Sequence, residues 1–324
     1  GDLVSDEALA VALEHVEQVN AGAAITVFEV ITAVAFHLFA QTAADLCVLE
    51  VGLGGRGDAT NLIDRPAACA ITSISLDHRE LLGETLALIA AEKAGIMKRD
   101  VPVAIGSQPA EVLDVLLTAA ERIGAPVRRR DRDWHMTAGR YWDANGALDL
   151  PTPSLPGTFQ LDNAGIAIAA MRSSGMAMDA SGLAAAEWPA RLQRLRGRLA
   201  AMLPTGWELW LDGGHNPGAG IVLAEHLRSW SDRPVHLVVG MKQAKDASEF
   251  LRPLVPFATT LWAVAEPGQH DARPVEAIVE ASGGVARPGP HVADALRALP
   301  RDRPARVLIC GSLYLAGEVL KLDL

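Results

Sequence analysis

The sequence predicts an α/β protein of two domains, and three observations carry this. Its 324 residues exceed what one hydrophobic core ordinarily serves. Short apolar runs of strand length alternate with longer amphipathic stretches, the pattern of a mostly parallel sheet covered on both faces. The alternation then fails around "AAAEWPARLQRLRGRLAAMLPTG", where Pro, Gly and Arg accumulate, and resumes after it. The boundary is placed between residues 186 and 187, giving domains over 1–186 and 187–324.

The elements follow in order. Ser5 caps a helix over 6–20 that closes near Gly22, and Thr26 with Glu29 forms a capping box ahead of "VFEVITAVAFHLFA". "LCVLEV" (46–51) and "ACAITSISL" (68–76) read as buried strands, and "ETLALIAAEKAGIM" (84–97) as a helix. "VPVAIG" is a strand, and "AEVLDVLLTAAERIG" a helix ending at Gly124. The charge run "RRRDRDW" (128–134) reads as a solvated loop, "MTAGRYWDANGALDL" as a hairpin turning at Asn145-Gly146, and "NAGIAIAAMRSSG" as a helix. Past the boundary, "ELWLDG", "VHLVVGM", "TTLWAVA" and "RVLICGS" are strands, each followed by a helix, the first opened by Pro217. That succession predicts a compact Rossmann-like second domain.

Composition narrows the function classes. With 50% hydrophobic and 21% charged residues the chain is globular rather than disordered. A net charge of −10 argues against nucleic acid or an anionic membrane surface as the main partner, while leaving room for a locally positive pocket and an anionic small substrate. Cys47, Cys69 and Cys310 sit in apolar runs and are expected to be buried, reduced thiols, which points to a cytoplasmic protein. No apolar stretch reaches membrane-spanning length, and no long apolar helix face is left over, so a monomer is expected. The opening "GDLVSDEALA" lacks an initiator Met and no basic-then-apolar leader follows, so a segment is expected upstream.

Gly52, Gly54 and Gly57 fall in G-x-G-x-x-G spacing behind an apolar run, with Asp77 twenty residues beyond Gly57, as in a dinucleotide site. Such a site needs the glycine turn to open a long helix whose N-terminus faces the pyrophosphate. Here "DATNLIDRP" follows, which is turn chemistry closed by Pro66, and no crossover helix fits before the strand at residue 68. A dehydrogenase is thereby a minor alternative. What remains is Glu50 at the carboxyl end of one strand, with Asp77 and His78 at the end of the next. In an open parallel sheet that edge is where ligands bind. A lone strand Glu reads more simply as an ion pair; polar groups at the ends of two adjacent strands turn the reading toward a ligand site.

At this point the chain resembles the folylpolyglutamate synthase/dihydrofolate synthase family, relatives of the Mur ligases. The resemblance rests on "TVFEVITA", "LEVGLGGRGDATN", "ITSISLDH" with "AAEKAGIMK", "LPGTFQLDNA", "WPARLQ", "LDGGHNP", "GMKQAKD" and "CGSLYLAGEV", which run in order over almost the whole chain. It implies a P-loop-NTPase-like ATP-binding domain followed by a Rossmann-like glutamate-ligase domain. It also implies ATP-dependent addition of L-glutamate to dihydropteroate and to folates through an acyl phosphate. Two Mg2+ ions are implied, with K+ a further candidate.

By the same resemblance, Glu50 and His78 are magnesium ligands, although a His is an unusual ligand for so hard a cation. Lys93 is a third ligand if CO2 converts it to an anionic carbamate; the competing reading is a half-buried lysine paired with Glu92 or Glu50. Phe28 would stack on the pterin, and Asp58, in the loop with Ala59 and Thr60, would hydrogen-bond its amino-pyrimidine edge. Asn163, Arg191 and Asp212 correspond to nucleotide contacts, for adenine, phosphate and ribose. His215 would orient glutamate or phosphate, or else stabilise its loop, and Lys245, Asp246 and Ser312 are candidate glutamate contacts. Glu29 fits its cap role and stays outside the site.

Several positions depart from the family pattern. Gly57 replaces an apolar residue, Phe159 a His, Ala190 a Gly and Ala244 an Asp. No G-x-x-x-x-G-K-[ST] loop occurs, so the phosphate loop is expected before residue 1 and residues 1–324 alone are expected to be inactive. The alternatives are a Mur-type ligase acting on a nucleotide-sugar peptide and a nucleotide-binding homologue without catalysis.

Overall fold

The computed structural model describes residues 3–324. It opens with a packed helix pair, α1 (Asp6–Asn20) and α2 (Val27–Gln41). Ser5 Oγ accepts from Ala8 N–H, and the Thr26/Glu29 capping box is complete in both directions, so both starts are satisfied locally as the sequence predicts. Ala12, Val16 and Val34 form the small core between them.

The expected strand at 46–51 does not form. No strand among the described residues pairs with it; Val48 is 81% exposed, and Cys47 lies on the surface rather than buried. Apolar, β-branched composition favours a strand only where a neighbouring ladder completes its hydrogen bonds. Cys69 and Cys310 are buried as expected.

The first parallel sheet, in order β1-β2-β3, holds β1 (Cys69–Ile71), β2 (Val103–Ile105) and β3 (Val127–Arg129). Paired strand therefore occupies only the start of the predicted 68–76 run, and residues 72–78 leave the sheet as a loop. Between β1 and β2 come α3 (Arg79–Leu82), α4 (Leu86–Lys93) and a 3-10 turn over Ala94–Ile96, so the predicted helix at 84–97 tightens at its end. α5 (Ala110–Ile123) follows β2 and closes on Gly124 in the left-handed region. Val103, Ala104 and Ile105 are fully buried, each large side chain contributing roughly 1.5–3 kcal/mol.

The "RRRDRDW" run is not a free loop. Its first arginines lie in β3, and Arg130 pairs with Asp162 and lies 5.7 Å over the Trp134 ring, because the run lies between sheet and helix. β4 (Trp134–Thr137), β5 (Arg140–Asp143) and β6 (Gly146–Asp149) make a three-stranded antiparallel sheet, one strand more than the single hairpin expected. Asp143 pairs with Gly146, so the second turn sits on Ala144-Asn145, one residue earlier than predicted. α6 (Thr158–Ser174) covers these strands, and α7 (Gly182–Ala185) lies in the stretch leading to the second sheet.

The second sheet has six strands in order β11-β10-β9-β12-β8-β7. β7 (Gln193–Leu195) is an antiparallel edge and α8 (Arg198–Ala201) follows it. β8 (Glu208–Leu211), α9 (Pro217–Arg228), β9 (Val235–Val239), α10 (Ala247–Leu251), β10 (Thr260–Ala263) and α11 (Val275–Ala281) continue the α/β succession. β11 (Arg287–Pro288), α12 (Val292–Arg297), β12 (Arg306–Cys310) and α13 (Leu313–Asp323) complete it. β9 is buried at every position, as a central strand covered on both faces should be. Two clusters, around Leu237, Phe250 and Leu308 and around Leu211, Val307 and Leu315, form the cores on its two faces. β7, β11 and α12 escaped the sequence reading; the two strands are too short to show a period.

Candidate active site

The glycine loop behind residue 51 makes turns and no helix, as its composition predicts. It is pinned to the end of α4. Arg56 N–H donates to Glu92 O at 3.0 Å, Asn61 Nδ2 donates to Gly95 O at 3.1 Å, and Arg56 Nε pairs with Glu92. A Cβ on Gly55 would stand 2.8 Å from Glu92 O, so only glycine lets the two backbones approach. Phe28 is 41% exposed, and its ring lies against Gly52.

Asp58 is buried in this loop. Its Oδ2 accepts from Leu53 N–H at 2.8 Å, and its Oδ1 accepts from both the N–H and the hydroxyl of Thr60 at 2.9 and 2.6 Å. Burial raises its carboxyl, but these donors outweigh burial and hold it below the ordinary value. Asp58 thus shapes the loop around Ala59 and Thr60 and keeps limited acceptor capacity for anything else.

The Lys93 side chain, at the last turn of α4, makes no hydrogen bond or ion pair among the described residues. The competing pairing with Glu92 or Glu50 is not formed among the described residues; Glu92 is taken by Arg56. Burial lowers the Lys93 ammonium below its ordinary value, against the pull of the Asp77 and Asp58 charges. Glu50 is exposed and likewise without a partner among the described residues. It does not end a strand, because the strand is not there.

Residues 72–78 are braced by Gln108, whose Oε1 accepts from Ile74 N–H and whose Nε2 donates to Thr72 O. This brings Asp77 and His78 to the carboxyl end of β1. His78 takes a left-handed backbone at φ 49°, a conformation costing of order 1–3 kcal/mol for a non-glycine residue, and Asp77 Oδ1 accepts its N–H at 2.9 Å. The His78 ring stays beyond hydrogen-bond reach of Asp77 and Glu80, at 4.0 and 3.8 Å. Among the described residues, no three or more His, Cys, Asp or Glu side chains are placed to hold a metal. Glu50 and His78 therefore do not make such a set by themselves.

The second domain presents the ends of β8, β9 and β12. Asp212 is buried; its Oδ2 accepts from Leu192 N–H at 2.9 Å and its Oδ1 from Gly214 N–H at 2.7 Å. Burial raises its carboxyl, only partly countered by those amides. Asp212 thereby ties the loop of Arg191, flanked by Ala190 and Leu192 at φ 56° and 44°, to the loop of His215. His215 Nδ1 lies 2.8 Å from Gly213 O; a carbonyl only accepts, so this nitrogen carries the proton and Nε2 is the bare one in the neutral ring. Burial lowers the His215 pKa and favours that neutral form. Ser312 caps α13, its Oγ accepting from Tyr314 and Leu315 N–H, and Asp246 caps α10. On α6, Asn163 is exposed and donates to Gln160 Oε1 at 3.0 Å.

The sequence reading did not find the contact that joins the two halves. Asp77 receives Lys245 Nζ in an ion pair and Asn216 Nδ2 at 2.9 Å, with His215 Nε2 at 3.8 Å. Each residue lies within a motif quoted above, but no spacing links position 77 to positions 215, 216 and 245.

No family model matches the chain. Individual relatives do. A folylpolyglutamate synthase of Lacticaseibacillus casei is 33% identical over 327 residues, covering 95% of this chain and 74% of that protein. The solved structure of E. coli FolC in complex with DHPP and ADP superposes with a TM-score of 0.87 at 29% identity, over 99% of this chain and 77% of that one. A bifunctional folylpolyglutamate synthase/dihydrofolate synthase solved with Mn, AMPPNP and L-glutamate superposes at 0.85, with 31% identity over 100% and 78% of the two chains. Sequence and fold thus agree over nearly the whole of this chain, and the chain belongs to the folylpolyglutamate synthase/dihydrofolate synthase family.

Proposed function

We propose that this chain is an ATP-dependent ligase that adds L-glutamate to dihydropteroate and to tetrahydrofolates through an acyl phosphate. The observation that carries the reading is its correspondence, along nearly its whole length, with enzymes of this activity, including structures holding DHPP, ADP, AMPPNP, Mn and L-glutamate. In the proposed reaction the substrate carboxylate attacks the γ-phosphorus and ADP leaves. The glutamate amine then attacks the acyl carbon and phosphate leaves.

The residues take roles that their surroundings suit. Phe28 and the Asp58-Ala59-Thr60 loop face the pterin; Asn163, Arg191 and Asp212 serve the nucleotide, Asp212 mainly by fixing the Arg191 loop. His215, neutral and with Nε2 bare, is suited to accept the proton released as the amine attacks. Glu50, His78 and a carbamylated Lys93 would hold the divalent cation, which supplies charge neutralisation at the phosphates when bound. The lowered Lys93 pKa supports the modification, since the neutral amine is the form that attacks CO2. Its Nζ bonds the carbon, a proton leaves to solvent, and an N-carboxylate remains. Separate hydrophobic cores on either side of residue 186 support 1–186 as the ATP- and pterin-binding domain and 187–324 as the glutamate domain.

No described helix is long and apolar enough to cross a membrane, and the three cysteines form no disulfide, which suits a cytoplasmic enzyme. The test is phosphate release by the full-length gene product with ATP, Mg2+ and L-glutamate, run with dihydropteroate in one arm and tetrahydrofolate in the other. Release in both arms is the expected result. Silence in both from folded, ATP-binding protein would overturn the reading and favour the Mur-type or non-catalytic alternatives.

A further inference from the structure

Asp77 belongs to the first domain, yet its side-chain partners are chiefly from the second. Lys245 follows β9 and Asn216 follows β8, so the ends of two parallel strands converge on one carboxylate of the opposite domain. Close by, Gly218 in the first turn of α9 abuts Ser75, where a Cβ would stand 2.4 Å from Ser75 Oγ. The Lys245 and Asp77 side chains keep only 15% and 24% of their surface exposed, so solvent screens the pair weakly. Burial raises the Asp77 carboxyl, but Lys245 and Asn216 outweigh that and lower it. Lys245 has no other carboxylate partner among the described residues. Removing Asp77 would leave an ammonium and an amide facing an empty acceptor position.

We infer that Asp77 is a positioning residue for glutamate ligation: by receiving Lys245 and Asn216 it docks the β8 and β9 loops of the second domain beside His78 and holds the two domains closed. The inference rests on the ligase reading above and deepens it. Closure matters because an acyl phosphate is hydrolysed by any water that reaches it before the amine does. A looser interface therefore lets phosphate be released without product.

Asn216 makes the idea separable from simple folding. Its Oδ1 accepts from Ala219 N–H at 2.8 Å and caps α9, while its Nδ2 reaches Asp77. Asn216→Asp keeps an equally good cap and turns the reaching group into a carboxylate facing Asp77. Asp77→Asn removes the charge from the other side. The double variant Asp77→Asn/Asn216→Asp exchanges donor and acceptor: it restores the hydrogen bond between positions 77 and 216 and leaves the amide oxygen at position 77 for Lys245.

The experiment compares the full-length enzyme, both single variants and the exchange variant, by ligand-free small-angle scattering and by steady-state kinetics that count phosphate and ligated product separately. Asn216→Asp should enlarge the particle's maximum dimension and raise the glutamate KM about tenfold or more, with the ATP KM within about twofold and phosphate outrunning product. Asp77→Asn should do the same more weakly, and the exchange variant should recover most of both losses. Unchanged scattering and coupled turnover in Asn216→Asp, or no recovery on exchange, would overturn the proposal. Scattering needs no substrate, so it decides the docking role even where the wild-type enzyme releases no phosphate, an outcome that counts against the ligase reading alone.

Discussion

Substituting Gly218 by alanine sets two effects of opposite sign against each other. Within α9 the change favours the helix by up to ~1 kcal/mol, which for a domain of this size raises Tm by roughly 2–4 °C. At the domain interface the new Cβ would lie 2.4 Å from Ser75 Oγ and 2.5 Å from Ser75 Cβ, against an ordinary contact of at least 3.4 Å. The hydroxyl can rotate away, but Ser75 Cβ cannot, so the loop at 75–78 and α9 must separate by about 1 Å. A displacement of that size beside reacting groups costs on the order of 100-fold in rate. The second domain should then melt no lower than wild type by calorimetry, while kcat/KM for glutamate, read from ligated product, falls at least about tenfold. Ser75→Gly in the same chain should return most of the loss, and Ser75→Ala should not, because it keeps the offending Cβ. Activity within twofold of wild type in Gly218→Ala would refute the close approach and the docking argued from it.

Asp212→Ala should cost about 2–4 kcal/mol in chemical denaturation, since two amides, those of Leu192 and Gly214, lose their acceptor at a buried position; Asp212→Asn should cost less, because its oxygen still serves one of them. Lys93→Met should keep the fold and abolish turnover, and in wild type a mass increment of one CO2 on the peptide containing Lys93 should appear at high bicarbonate and vanish after acid. Acid should weaken the second domain through Glu208. Burial raises its carboxyl, but hydrogen bonds from Arg306 and Trp210 hold it below the ordinary 4.5, so this stabilisation is present above that value and is lost as pH falls through the lowered one. Glu208→Gln should flatten that part of the stability-pH profile measured by urea unfolding.

Much of the fold is legible in the sequence because the governing interactions are short in range. Thr26 and Glu29 are three residues apart, and the capping box forms whatever α2 packs against. The alternation of apolar strands with capped helices in 208–323 predicts a parallel sheet because each element repeats the same local solution. The turn chemistry of "DATNLIDRP" likewise excludes a dinucleotide helix, and no helix forms there. The family motifs are legible for the same reason: each is a few adjacent residues.

What failed or stayed hidden involves partners distant along the chain. Residues 46–51 have strand composition, but a strand exists only with a neighbour to pair with, and sequence does not state neighbours. The Arg128–Trp134 run looks solvated until α6 brings Asp162 to Arg130. Lys93 also reads as an ion-paired lysine until the loop at Gly55 and Arg56 occupies Glu92 and leaves the ammonium desolvated, with no ion-pair partner among the described residues. The sequence by itself determined the long helices, the four central strands of the second sheet, the turns of the glycine loop and the family, since propensity, capping and turn chemistry act over a few residues. Only the tertiary structure decided that Asp77, Asn216 and Lys245 meet, because a hydrogen bond spanning 139 or 168 positions is set by how two domains pack.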